Sequence, residues 1–424
     1  STDPNFQNIF HESSESNTVS SIDYRVTIPL TARTRYYWRV SVRTSAETIN
    51  SPISFFETSK MTEKWKASWI TPKISSSFNE FDLPLVRKNF SLQKVPKTAR
   101  IYICGLGLYE LFINGHKANN ELFTPFYNGY DNWIQYQTYD ITSLLTKGEN
   151  VVGVMLGDGW AKGRWGFNGK PADMLHENNN RGSPINLYVD KYLLISELRI
   201  DCENDETIVI GTDESWKFSK SEIVMTNIYD GEVIDGNIEL KQKGWSKSDF
   251  DDRNWGNMKI IEKPEKLGKL TARYSPPVIV KREIKPKKIF TDGNGDVILD
   301  MGQNIAGWLQ FSTDEIFPKN FEIVFEFGEI LKNGSFFRGN LKTAQQQFRY
   351  ISNGEERNLN THPHFTFYGF QYVRLKKWYG QPKITNFVGL SIYSDLPQTG
   401  FLRTSNSDVN KLIQNVIWSQ RDNF

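Results

Sequence analysis

Cysteine, histidine and long apolar runs are all scarce in this chain of 424 residues. The two cysteines, Cys104 and Cys202, make neither a disulfide framework nor a metal-binding spacing. Each has apolar neighbours in sequence, which reads as a buried thiol. The five histidines, His11, His116, His176, His362 and His364, match no zinc motif, and no metal site is expected. An extended His362-Pro-His364 would place two rings on one side, a metal pair or a chance pairing beside Phe365. No apolar stretch reaches the roughly 18–20 residues of a membrane-spanning helix. An excess of charge of either sign is missing too: 51 basic residues face 49 acidic ones. That balance points to neither nucleic acid nor an anionic membrane as partner. No Walker loop or dinucleotide fingerprint is present, and no cofactor is expected. Ser1 to Phe6 are polar and form no signal-peptide core, as a mature or trimmed N-terminus would also read.

What is abundant is aromatic, at 14 % of residues. Large β-sandwiches fill their cores with Phe, Tyr and Trp, and sugar-binding proteins also hold aromatic rings against pyranose faces. Alternation separates the chain into units. Tyr24–Leu30 reads as a strand ended by Pro29. Thr34–Arg43 alternates Tyr36, Trp38, Val40 and Val42 with Arg35, Tyr37, Arg39, Ser41 and Arg43. With Ser54–Thr58 these form a small sandwich fragment over residues 1–61. A linker follows over 62–80, carrying two tryptophans, Pro72 and a serine run.

Residues 81–263 read as a larger sandwich. Ala99–Gly105 and Leu108–Gly115 alternate, and Asn114-Gly115 is a strong hairpin turn. Tyr136–Thr142 and Glu149–Gly157 add strands. Residues 264–397 read as a third sandwich, with Asp296–Trp308, a half-buried strand over Phe321–Phe327, and Phe365–Arg374. From Ser394 the pattern becomes helical. Ser405, Asn406 and Ser407 offer N-caps, and Val409, Leu412, Ile413, Val416 and Ile417 make one apolar stripe. That stripe needs a partner face, and a helix of this length is marginal alone.

Several stretches, in one order, resemble bacterial α-L-rhamnosidases of glycoside hydrolase family 78. They are Gly157–Phe167, Ile228–Asp235, Gly244-Trp245 with Phe250–Asp252 and Trp255, Asp296–Trp308, Asn340–Ala344, Ser394–Gly400 and Asn415–Phe424. The Tyr36–Val40 run also resembles a late strand of a fibronectin type III domain. The fold class implied is mainly β: a partial fibronectin type III-like unit, a jelly-roll or galactose-binding-like sandwich and a concanavalin-like sandwich. Residues 398–424 are then the start of an (α/α)6 barrel that the chain does not otherwise contain. In the family that barrel supplies the catalytic carboxyl groups, so the resemblance implies no catalytic residue in this chain. It also implies an inverting parent enzyme, a rhamnose-containing carbohydrate as ligand, and the barrel as partner.

Among the carboxylates near turns or aromatics are Asp158, Asp300, Glu326, Glu329 and Asp395. A carboxylate near a turn is commonly a cap or anchor. An inverting pair requires two held roughly 6.5–9.5 Å apart. For sugar contact the candidates are Asp158, Trp160, Arg164 and Trp165, on a loop that Gly157, Gly159, Gly163 and Gly166 allow to turn tightly. The alternative is that Arg164 pairs with Asp158 and the tryptophans pack between domains. Gln303, Asn304 and Trp308 are candidates for a face toward the barrel, or for a turn inside the sandwich. Asp292-Gly-Asn-Gly-Asp296 alternates oxygen ligands but lacks the Gly and Glu that an EF-hand loop requires later on, and reads as a hairpin turn.

Overall fold

The computed structural model describes residues 1–424 apart from 21, 23, 79–81, 165–187 and 204–205. It divides into two compact units, Ser1–Trp65 and Lys66–Phe424. Neither contains, among the described residues, a helix long and apolar enough to cross a membrane.

In the first unit Arg35–Trp38 pairs antiparallel with Ser54–Glu57, and Ser41–Arg43 with Thr48–Asn50. Tyr36 is buried and stacks on Phe56 across the ladder, with centroids 5.4 Å apart. Trp38, Val40 and Val42, expected on one face with Tyr36, are exposed. The long strand expected over Thr34–Arg43 breaks at Arg39–Val40, and Tyr24–Leu30 is not a strand at all. Alternation alone does not make a strand. It needs a neighbour to receive its backbone hydrogen bonds, and Tyr24, Val26 and Leu30 face solvent instead.

The second unit is built on two large sheets. One has twelve strands and curls, so that the short strands Ile70–Pro72 and Gly256–Ile260 join its two faces. Ile70–Pro72 thus takes a stretch expected as linker into the sheet. Thr98–Leu106 and Leu108–Ile113 form as the alternation predicts. Asn114 and Gly115 then both take left-handed φ values of 51° and 84°, the hairpin turn their sequence favours. The other sheet has ten strands and is centred on Val297–Thr313, Glu322–Gly328, Tyr368–Lys377 and Phe387–Ser394. Glu322–Gly328 is buried along nearly its whole length, not on alternate positions as expected. Glu326 tolerates this because Arg374, Arg338 and the Gln347 side chain surround its carboxylate.

The sheets exchange pieces across the expected boundary at 263/264. The hairpin Ile223–Asn227 and Gly231–Asp235 leaves the first region and joins the second sheet. There Gly231–Asp235 runs parallel to Gln347–Ile351. In return Lys269–Ala272 pairs with Trp133–Asp140 of the first sheet. Among the described residues one large apolar core runs from Ile70 to Ile392, beside a small cluster around Val233. Phe123 shows the continuity, packing on Trp160 on one side and on Trp308 and Phe367 on the other.

Cys104 is fully buried, and burial pushes its thiol up; Cys202 is only half-buried, and both are free. The C-terminal helix Ser407–Asn423 is capped as expected, Asn406 Oδ1 accepting from the Asp408 and Val409 amides at 2.9 and 3.2 Å.

Candidate functional site

The strand Gly148–Gly157 ends at a single helical turn, Gly159–Lys162. Gly159 has φ +52°, and a Cβ there would stand 2.4 Å from Leu108 Cγ, so the tight entry requires glycine. In and beside the turn, Asp158, Trp160 and Arg164 are each engaged within the fold. Asp158 accepts from the Tyr192 hydroxyl and faces Lys162 Nζ at 3.5 Å. Trp160 is half-buried, 6.4 Å from Phe123 and 6.3 Å from Tyr127 between ring centroids. Arg164 turns inward. Its Nε and Nη2 donate to the two Asp230 oxygens at 2.8 and 2.6 Å, and Nη2 also reaches the Thr343 carbonyl at 2.8 Å. Both side chains of this pair are 2 % exposed. Its carboxylate partner is therefore Asp230, not Asp158, and the pair ties the exchanged hairpin back to the loop that follows the first sheet's Gly148–Gly157 strand. Trp165 lies outside the described residues.

Nearby is a charged knot that sequence reasoning missed, apart from noting two histidines. The His364 and Phe365 amides donate to Glu232 at 2.7 and 2.9 Å, and Thr226 donates to it at 3.0 Å. His364 Nδ1 stands 3.3 Å from Glu110 Oε2, an ionic contact off the hydrogen-bonding direction, and Lys117 donates to Glu110 at 2.8 Å. Burial favours a neutral His364, but the Glu110 carboxylate overrides it and holds the imidazole up to about 9. Burial likewise opposes Glu110 ionising, yet Lys117 and His364 hold its carboxyl well below the usual range. His362 is pushed down to about 4 by burial and by the His364 charge. It lies flat on Trp308, 5.1 Å between centroids and 9° between planes. The His362 and His364 rings are 5.3 Å apart. Among the described residues no group of three side chains is placed to hold a metal.

A folded-state value raised from 6.5 to about 9 contributes stability that is whole below about 6.5 and lost as pH rises through 9. Urea unfolding is expected to show falling stability between pH 7 and 10, and Glu110→Gln is expected to flatten that fall.

The residues expected to face a barrel separate. Trp308 is 1 % exposed, inside the core. Gln303 is half-buried, its Nε2 without a hydrogen-bond partner. Asn304 is exposed and donates to Glu329 Oε1 at 3.0 Å, while Asn340 donates to the other oxygen at 2.8 Å. Beside them lies the end of the C-terminal helix. Asp422 accepts from the Ala306 amide at 3.0 Å, the Phe424 carbonyl from the Ser394 amide at 2.9 Å, and Arg282 stacks over Trp418 at 5.3 Å. Burial raises the Asp422 carboxyl, the Ala306 amide opposes this, and the Glu329 charge adds to the rise. Asn410, Ile413, Ile417 and Trp418 are half-buried, whereas Val409, Leu412 and Val416 stay open, the last two at 61 % and 59 % exposure. The predicted stripe is thus only partly covered.

Of the other carboxylates weighed for catalysis, Asp300 accepts from the Gly302 amide and Gln371, Glu326 is buried among arginines, and Asp395 pairs with Lys281. Glu329 is held by amides rather than by cations. Asp292 is spent on the amides of Asn294, Asp296 and Phe336, which is the hairpin-turn reading of that loop. The arrangement offers anchoring acceptors and amide donors around the helix end.

Residues 94–282 match the α-L-rhamnosidase N-terminal domain, and residues 291–393 the bacterial α-L-rhamnosidase concanavalin-like domain. Both β-domains belong to the α-L-rhamnosidase family. An α-L-rhamnosidase of Formosa agariphila is 28 % identical over 93 % of this chain and 43 % of its own length. The crystal structure of the Aspergillus terreus α-L-rhamnosidase aligns with a TM-score of 0.83 at 30 % identity, over 94 % of this chain and 45 % of that one. The Streptomyces avermitilis α-L-rhamnosidase, solved with L-rhamnose, aligns at 0.73 and 27 % identity, over 81 % of this chain and 32 % of that one. The chain spans less than half the length of these relatives. The α-L-rhamnosidase N-terminal domain as matched includes the 223–235 hairpin, which is physically part of the concanavalin-like sheet. In this chain the two domains are therefore interlocked, with Arg164, Asp230 and Glu232 at the crossing.

Proposed function

We propose that this chain is the β-sheet forepart of an inverting glycoside hydrolase of family 78. The enzyme releases terminal α-L-rhamnose from a glycan or glycoside, with acid and base supplied by a helical barrel. The observation that carries the reading is the pair of family domains in family order, followed by a capped helix whose Val409, Leu412 and Val416 are open. In this reading the helix is the first of the barrel. Glu329, Asn304 and Gln303 form the rim on which it is seated, and the interlocked domains brace it. Asp158, Trp160 and Arg164 act as a packing joint, since each already has partners inside the fold.

The 424-residue chain is expected to leave an aryl α-L-rhamnoside unhydrolysed in a phenol-release assay. A gene product continuing beyond Phe424 is expected to hydrolyse it, and the first-formed anomer seen by NMR reports inversion. Turnover by the 424-residue chain, abolished by replacing one of its own carboxylates, would overturn the proposal.

A further inference from the structure

A buried phenol stands between two carboxylates where the exchanged segment meets the second sheet. Tyr350 lies in the strand Gln347–Ile351 and is 1 % exposed. Its hydroxyl is 2.6 Å from Glu356 Oε2 and 3.2 Å from Glu239 Oε2. Glu239 comes from the helix Gly236–Gln242, which directly continues the exchanged strand Gly231–Asp235. Glu356 comes from the turn after Tyr350's own strand. The helix is flush against this strand: a Cβ on Gly236 would stand 2.6 Å from the Tyr350 hydroxyl and 2.8 Å from the Ile351 carbonyl. Asn353 donates to the Gly236 carbonyl at 3.3 Å, and Asn237 reaches Asn320 at 3.2 Å.

A phenol has one hydrogen to donate. It serves one carboxylate, and the other then meets the phenol oxygen's lone pairs. With both carboxylates ionised, one acceptor faces another across a buried phenol. One added proton resolves this, because a protonated carboxyl donates to the phenol oxygen while the phenol donates to the remaining carboxylate.

The charges around the site do not substitute for that proton. Glu222, on the turn before the exchanged hairpin, adds a third negative group, and His364 acts on Glu239 only as a weaker, opposing influence. Arg349, next to Tyr350, is taken by Glu322. Asp235, at the start of the helix, is occupied by the Asn237 amide.

We propose that Glu239, Tyr350 and Glu356 form a proton-locked clasp that holds the 236–242 helix, and with it the exchanged hairpin, on the concanavalin-like sheet, and that loss of the proton opens it. Burial, then the Glu356 and Glu222 charges, lift Glu239 from 4.5 to about 7. The folded chain therefore holds more protons than the opened one between those values. The clasp is fully closed below about 4.5, weakens as pH rises, and its contribution is gone above 7.

Hydrogen exchange on the full chain tests this at the amides of 236–242, corrected for the intrinsic pH dependence. Protection is expected to fall about tenfold from pH 5.5 to 6.5 and to level off above 7. Glu239→Gln keeps the shape, removes the charge, and is expected to make protection flat with pH and higher than wild type at pH 8. Tyr350→Phe is expected to lose protection at pH 5.5 and little at pH 8. Protection in Glu239→Gln that still falls tenfold over that step would overturn the clasp. So would wild-type protection that is flat from pH 5.5 to 8.

Discussion

Arg164→Ala is expected to destabilise the Lys66–Phe424 unit by about 3–5 kcal/mol in urea titration followed by tryptophan fluorescence. The guanidinium makes two short parallel bonds to Asp230 and one to the Thr343 carbonyl, all out of water. Removing it takes a bidentate cation from a buried carboxylate and one hydrogen bond from the Thr343 carbonyl, and that loss dominates. Asp230→Ala is expected to be comparably damaging, for the mirror-image reason. The double variant is expected to cost much less than the sum, because either single change already breaks the bonds the two side chains share. Arg253→Ala, which breaks an open surface pair with Asp251, is the control and is expected to change little. If the Arg164 and Asp230 losses simply added, the pair would not be the joint described here.

Gly231→Ala is expected to be the other large perturbation, about 3 kcal/mol or more. Gly231 opens the exchanged strand with φ +117°, a conformation side chains rarely adopt, and a Cβ would fall 1.8 Å from the Gln347 carbonyl oxygen. Gly231 and Gln347 are directly opposed in the parallel ladder, so the methyl group strikes the backbone that the strand must pair with. No side chain can move aside. The expected signature is loss of protection along 231–235 and 347–351 together, while the Thr98–Leu106 strand keeps its own. Gly148→Ala is the comparison, since φ there is +92° but nothing lies within 4 Å of a Cβ. It is expected to carry the backbone strain without the clash, so the difference between the two variants isolates the contact.

Both variants act where the chain is least legible from its order of residues. The Asn114-Gly115 turn, the strands around it and the Asn406 cap are local: a few adjacent residues choose a backbone conformation whatever surrounds them. The same holds for the signature stretches that carry the family resemblance, and Ile228–Asp235 is one of them. The wrong partner for Arg164 has a different origin. Asp158 is six residues away and on the same loop, while Asp230 is reached only after a long excursion of chain, and both are plain aspartates in sequence. Trp308 and Asn304 sit four residues apart on a single strand, and only packing puts one in the core and leaves the other on the rim.

Glu326 and Tyr24–Leu30 mark the limits of alternation from opposite sides. The first sits at a polar position of an alternating strand and is buried, because three separate segments bring it cations and an amide. The second alternates well and stays irregular, because among the described residues no strand lies alongside. The order of residues determined on its own the mainly β class, the turns, the cap and the family, since these rest on short-range conformational preference and on motifs read along the chain. The exchange of the 223–235 hairpin, the Arg164–Asp230 joint, the His364 charge and the Glu239–Tyr350–Glu356 cluster were decided only by tertiary structure. Each depends on groups distant in sequence being brought together and dehydrated, and no local pattern encodes the dielectric or the neighbour that results.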